Sequence, residues 1–202
     1  MRNTNHSVVK TKYQTILDKT KQTKIINIFG GPSIGKSSVA SGLFYELKKR
    51  HIPVDVPYEF PKVLAWDKNY PAIKDQFYVI ANQHRGISRS WGEVDYIIVD
   101  SPLLLAPVYK SFYSDQPYYP STFYGKEFDD FILSLHKKYD NLNIVLKRDE
   151  SRFEDTGRYQ DLDNSKKLDI LIKTLLVEND ISYTEVKTED AVDKILELLQ
   201  IQ

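Results

Sequence analysis

A glycine-rich motif near the start of the chain constrains its fold more than any other feature. Residues 30–37 read Gly-Gly-Pro-Ser-Ile-Gly-Lys-Ser and match the pattern G-x-x-x-x-G-K-[S/T] at every defined position. An apolar run at residues 24–29 precedes the motif, and apolar residues at helical spacing follow it over residues 36–50. The sequence therefore predicts a buried strand, a glycine turn and a helix, in that order.

Each residue type in this motif suits a loop that wraps phosphate groups. Glycine lets the backbone turn its N–H groups inward, and the N-terminus of the following helix adds positive potential. We predict a nucleoside triphosphate site, for ATP or GTP, in which Lys36 contacts the β- and γ-phosphates and Ser37 binds Mg²⁺. The predicted nucleotide-binding residues are Gly30, Gly31, Pro32, Ser33, Ile34, Gly35, Lys36, Ser37 and Ser38.

Asp100 ends a second apolar run, at residues 96–99, and is the predicted carboxylate partner of Mg²⁺. Ser101 and Pro102 follow it. Motor and remodelling ATPases usually place a Glu there to polarise the attacking water, so that class is disfavoured. The sequence also lacks the Asn-Lys-x-Asp motif of signalling GTPases and the Ser-Gly-Gly signature of ABC transporters.

Strands and helices are predicted to alternate along the chain. The expected strands are 24–29, 52–58, 94–99, 142–146 and 182–186, and the expected helices are 8–20, 36–50, 63–68, 73–91, 128–139, 168–177 and 191–199. This alternation predicts a three-layer α/β fold with a mainly parallel sheet and helices on both faces. We divide the chain into an N-terminal helical extension, residues 1–23, and one domain, residues 24–202.

Composition and charge narrow the classes of function. The 202 residues include no cysteine, which excludes disulfides, cysteine-ligated zinc and thiol catalysis. The 28 Lys and Arg residues balance 28 Asp and Glu residues, which argues against binding duplex DNA mainly through its backbone. No apolar run is long enough to span a bilayer and no secretion signal is visible, so we expect a cytoplasmic protein without a membrane partner.

Other residues suit phosphoryl transfer to a small acceptor. Glu59 follows the second predicted strand and could take the acceptor's proton. Arg152 and Arg158, in a polar segment near 148–164 that begins at Arg148, are the predicted lid arginines that neutralise the migrating phosphoryl group. The predicted acceptor-binding residues are Glu59, Trp66, Gln76, Gln83, Arg85 and Tyr109. The alternative for these loop and helix residues is a solvated surface position.

Residues 109–124 form an aromatic segment that interrupts the alternation. It contains seven of the chain's 25 aromatic residues within 16 positions, together with two prolines. We expect a long loop that forms the wall or lid of the acceptor site. The alternative is an insertion that packs on the domain or forms a homodimer contact.

These features together resemble the P-loop nucleoside and nucleotide kinases. The narrower resemblance, over about residues 24–200, is to small kinase-like ATPases that include the ribosylnicotinamide kinase domain and many bacteriophage proteins. Residues 59–66 (EFPKVLAW) resemble the Glu-Pro…Trp segment of deoxynucleoside kinases, in which the Glu is the general base, and Gln76 resembles their base-reading Gln. The resemblance implies the P-loop NTPase fold, with a five-stranded parallel sheet in the order 2-3-1-4-5.

Three functions remain open from the sequence. The leading hypothesis is an Mg²⁺- and ATP-dependent kinase whose acceptor is a nucleoside, a nucleoside monophosphate or a related hydroxyl compound. The second keeps this machinery but transfers the phosphate to a modified base in DNA, with the aromatic segment stacking an extruded base. The third is a nucleotide-binding ATPase or GTPase that acts as a regulatory module through a partner surface.

Overall fold

The strands of the protein form one parallel sheet. The computed structural model describes residues 22–114, 125–149 and 161–202. The strands are β1 (Lys24–Phe29), β2 (Val54–Asp55), β3 (Tyr96–Val99), β4 (Asp140–Lys147) and β5 (Thr184–Lys187). Every neighbouring pair is parallel and the order is β2-β3-β1-β4-β5, so the predicted fold and strand order are confirmed.

Helices connect successive strands. They are α1 (Lys36–Lys49), α2 (Phe60–Trp66), α3 (Tyr70–Lys74), α4 (Gln76–Ser90), α5 (Leu105–Phe112), α6 (Lys126–His136), α7 (Leu162–Glu178) and α8 (Ala191–Leu198), with a 3₁₀ turn at Thr188–Asp190 before α8. Within the described ranges, the helices fall short of the length and apolar character that a membrane span requires.

Helices cover both faces of the sheet, and each face has its own core. Ile25 and Phe29 of β1 belong to the core shared with α4, α5, α6 and α7, whereas Ile26 and Ile28 belong to the core shared with α1 and α8. A strand that is buried on both faces has a continuous run of apolar residues, and for this reason the sequence predicts β1.

Two predicted elements differ in extent for identifiable reasons. The strand predicted over 52–58 contains two ladder residues, because Pro53 and Pro57 on either side cannot donate a backbone hydrogen bond. The helix predicted over 73–91 is interrupted at Asp75, whose backbone is extended (ψ 91°) and whose carboxylate accepts the Tyr78 N–H at 3.1 Å. Asp75 thus caps α4 and separates it from α3.

The aromatic segment differs from the predicted loop at its start. Residues 109–112 lie in α5, a helix that the sequence analysis did not predict, and Tyr113 directly after it is buried. The apolar residues at 103–106 and 108 are also buried, so tertiary packing makes this stretch part of the core. Residues 115–124 of the segment, and the helix predicted over 8–20, lie outside the described residues.

Candidate nucleotide-binding site

The loop between β1 and α1 has the backbone of a phosphate cradle. Three of its residues have positive φ angles: Gly30 (151°), Ser33 (59°) and Gly35 (97°). Gly35 immediately precedes α1 and offers no side-chain cap. The N-terminus of a helix favours an anion through its amide groups and its dipole. The described geometry therefore suits binding of a chain of phosphate groups.

Lys36 and Ser37 begin α1 and so lie beside this cradle. The Lys36 Nζ donates a hydrogen bond to the Gly31 carbonyl oxygen at 2.9 Å, which holds the amine against the loop. Of the other predicted nucleotide-binding residues, Gly30, Gly31, Pro32 and Ile34 are buried and Ser38 is exposed.

Asp100 lies where a carboxylate next to the loop is expected. Val99 pairs with Asn27 of β1, so Asp100 follows at the level of the last residues before the loop, and the residue is 8% exposed. Mg²⁺ is commonly held by one or two carboxylates and by phosphate oxygens, and the Asp100 carboxylate and the Ser37 hydroxyl are both oxygen donors of the kind that it prefers. Ser37 and Asp100 remain the predicted metal ligands.

Two residues far along the chain contact the same loop, and the sequence analysis identified neither. Thr188, just after β5, donates its hydroxyl hydrogen to the Ile34 carbonyl oxygen at 2.9 Å. Asp169, on α7, accepts the Gly31 N–H through Oδ1 at 2.5 Å. No local pattern could have identified them, since each contact depends on how a distant element packs beside the loop.

The glutamines predicted to read the acceptor are buried on α4. Gln83 Nε2 donates to the Ser101 hydroxyl at 2.9 Å and to the Ser101 carbonyl oxygen at 3.3 Å. Gln83 therefore fixes the residue that follows Asp100. Gln76 Nε2 donates to the Ile73 carbonyl oxygen at 3.0 Å. Their roles toward an acceptor stay predictions.

The remaining acceptor candidates lie in or beside three helices, α2, α4 and α5. Glu59 lies half-buried in the extended segment just before α2 and does not cap that helix. Trp66, at the end of α2, is 74% exposed, and Arg85 of α4 is exposed. Tyr109 stacks on Tyr113 with ring centroids 6.2 Å apart.

The predicted lid is described only at its ends. Arg152 and Arg158 lie outside the described residues. Arg148 is buried in an ion pair with Asp169, its Nε lying 2.6 Å from Oδ2, and residues 162–164 form the first turn of α7.

His84 neighbours Gln83 on α4 but belongs to a different contact. Its Nε2 lies 2.7 Å from the Tyr139 hydroxyl. Tyr139 directly precedes β4, so it lies at the amino ends of the strands, whereas the loop follows the carboxyl end of β1. Burial lowers the pKa of His84 and raises the pKa of Tyr139. The two groups thus stay neutral at pH 7 and form a structural contact.

Three solved structures share this fold at low sequence identity. Deoxyadenosine kinase from M. mycoides with bound dATP aligns with a TM-score of 0.61 at 19% identity, over 87% of this chain and 99% of the kinase chain. NadR protein in complex with NR aligns with a TM-score of 0.67 at 13% identity, over 93% of this chain and 54% of that chain. Thymidylate kinase from Ehrlichia chaffeensis aligns with a TM-score of 0.56 at 9% identity, over 89% of this chain and 100% of that chain.

A family model covers most of the domain. The family described as an AAA domain matches residues 25–194, from β1 into α8. No curated protein matches the chain. The resemblance to P-loop nucleoside and nucleotide kinases is confirmed by the shared fold. The chain belongs to this AAA-domain family of P-loop NTPases.

Proposed function

We propose that the protein is an Mg²⁺- and ATP-dependent phosphotransferase whose acceptor is a nucleoside, a nucleoside monophosphate or a related hydroxyl compound. The observation that carries the proposal is the phosphate cradle of residues 30–37 beside the buried Asp100, within a fold shared with deoxyadenosine and thymidylate kinases. ATP is proposed as the phosphate donor, and GTP is the alternative donor to test beside it.

In the proposed reaction, an acceptor hydroxyl oxygen forms a bond to the γ-phosphorus while the bond from that phosphorus to the β,γ-bridging oxygen breaks. ADP leaves, and the hydroxyl proton passes to the Glu59 carboxylate, which lies beyond the carboxyl end of β2. Lys36 and the loop amides hold the β- and γ-phosphates. Arg152 and Arg158 would neutralise the charge of the migrating group.

Ser37 and Asp100 would hold Mg²⁺, which when bound neutralises phosphate charge. Positioning and charge stabilisation account for most of phosphoryl-transfer catalysis, so these residues need only hold the nucleotide in one geometry. Gln83 supports this arrangement through Ser101, because the amide fixes the backbone next to Asp100.

The direct test supplies the protein with Mg²⁺-ATP and a panel of nucleosides and nucleoside monophosphates, and measures product masses. We expect one acceptor class to gain the mass of one phosphate, with ADP formed in equal amount. ATP hydrolysis without any phosphorylated acceptor would favour the regulatory module instead. Phosphate incorporation into single-stranded DNA but not into the panel would favour a DNA base as acceptor.

Lys36→Ala is the matched loss-of-function variant. The variant lacks the positive charge that Lys36 holds against the transferring phosphate, so its turnover number should fall by roughly 10²-fold or more. Its far-ultraviolet circular dichroism should stay unchanged. Lys49→Ala, an exposed lysine at the other end of α1, serves as the control and should retain full activity. Normal turnover by Lys36→Ala would contradict the proposed role of the loop.

A further inference from the structure

A largely shielded ion pair holds the second residue of the phosphate loop. Arg148, directly after β4, donates from Nε to Asp169 Oδ2 at 2.6 Å and from Nη2 to Oδ1 at 3.3 Å. Asp169 Oδ1 also accepts the Gly31 N–H at 2.5 Å. The Arg148 side chain is 8% exposed and the Asp169 side chain 19%, so the pair is largely shielded from solvent.

Gly31 is held at both of its polar backbone groups. Asp169 accepts its N–H, and its carbonyl oxygen accepts a hydrogen bond from Lys36 Nζ. A Cβ atom on Gly31 would lie 2.6 Å from the Ser165 carbonyl oxygen and 2.9 Å from both Arg148 Nη2 and Asp169 Oδ1. The approach of α7 thus explains the glycine at this position, which the motif itself leaves variable.

The charges of the pair balance in a way that suits an anion site. An unpaired carboxylate bonded to the phosphate loop would repel a triphosphate, whereas the bidentate Arg148 contact cancels its charge and fixes its orientation. A buried ion pair often adds little net stability, so a second role for it is reasonable.

We infer that Arg148 and Asp169 are positioning residues for nucleotide binding. Asp169 fixes the Gly31 amide so that the loop is already shaped for a triphosphate, and Arg148 neutralises and orients Asp169. This inference rests on the proposed function, because it concerns the same nucleotide site. Fixing a loop in its binding conformation raises affinity by removing the entropy cost of ordering it.

Two double variants separate this role from simple structural support. Arg148→Met with Asp169→Leu replaces the ion pair by apolar groups and leaves the Gly31 N–H without its acceptor. Arg148→Met with Asp169→Asn also removes both charges, but the Asn carbonyl oxygen can still accept that N–H. Asn and Leu have similar size and shape, and Asn differs by its acceptor oxygen and its NH₂ group in place of two methyl groups.

ATP with excess Mg²⁺ is titrated into each protein by calorimetry, well below the melting temperature of each. We expect the Leu variant to bind ATP roughly tenfold more weakly than the unchanged protein, and the Asn variant to bind within about threefold of it. Ser165→Ala is the control on the same face of α7. Its hydroxyl has no hydrogen-bond partner among the described residues, so ATP affinity should not change.

The outcomes separate the inference from the proposed function. Equal ATP affinity in the two double variants overturns the positioning role while leaving nucleotide binding intact. Absence of ATP binding by the unchanged protein overturns the proposed function and the inference together. Amide hydrogen exchange at Gly31 in the unchanged, nucleotide-free protein tests the contact without any substitution: slow exchange is expected, and exchange at the rate of an unstructured peptide overturns it.

Discussion

Gly35 shows how one backbone conformation ties the phosphate loop to the rest of the domain. Its φ of 97° lies in the left-handed region, which residues with a Cβ rarely adopt. A Cβ there would also lie 2.6 Å from the Thr188 methyl carbon, whose neighbouring hydroxyl bonds to Ile34. Glycine at this position therefore permits both the positive φ of the turn and the close approach of Thr188, which follows β5.

Gly35→Ala should lower the free energy of unfolding by about 1–3 kcal/mol, because it combines backbone strain with a steric clash. Urea denaturation measures the change. Combining it with Thr188→Ser removes the clashing methyl group but keeps the hydroxyl, so part of the loss should return and the strain of the positive φ should remain. A Gly35→Ala protein as stable as the parent would contradict the described contact.

Helix α7 carries one of the contacts between the second half of the chain and the phosphate loop. Ser165 and Asp169 are one turn apart on this helix, and both approach Gly31. The helix begins at Leu162, six residues before the predicted start, because the Asp161 carboxylate accepts the Asn164 N–H at 2.8 Å and caps the first turn. The apolar pattern is visible in the sequence only from Leu168 onward, so the sequence analysis missed the polar first turns.

Asp161→Ala should lower the free energy of unfolding by about 1 kcal/mol, since it removes the acceptor for a first-turn amide. Asp161→Asn retains an acceptor oxygen at the same position and should stay within a few tenths of a kcal/mol of the parent. Urea denaturation of the three proteins in parallel makes the comparison. Equal loss in the two variants would show that the charge of Asp161, and not its hydrogen bond, stabilises α7.

The whole domain consists of a sheet between two helical layers, and its stability is expected to depend on pH through a buried histidine. His136, the last residue of α6, is 6% exposed. Burial, and to a smaller extent the charge of Lys137, lowers the pKa of His136 to about 4. The imidazole is therefore neutral in the folded protein at pH values where the unfolded chain already binds a proton.

His136 should make the folded protein less stable as the pH falls from about 6.5 to about 4. The unfolded chain binds more protons in that range, so this histidine should account for a loss of about 2 kcal/mol between pH 7 and pH 5. His136→Gln should reduce the loss by that amount in urea denaturation at the two pH values. His51→Gln, at an exposed position, is the control, and identical pH dependence in parent and His136→Gln would contradict the assignment.

The sequence alone determined the fold class, the strand order implied by the family resemblance and the location of the phosphate loop. The fold class and the loop follow from local information, because an apolar run buried on both faces predicts a strand and glycines before a lysine and a serine predict the cradle. The strand order followed from the family resemblance and not from any local pattern. Which distant residues contact that loop depends on how the helices and strands pack in the folded domain. The contacts of Asp169 and Thr188 with the loop, and of Gln83 with Ser101, form where helices and strands pack side by side. Neither the hydrophobic period nor the residue spacing of the sequence encodes which side chains meet there.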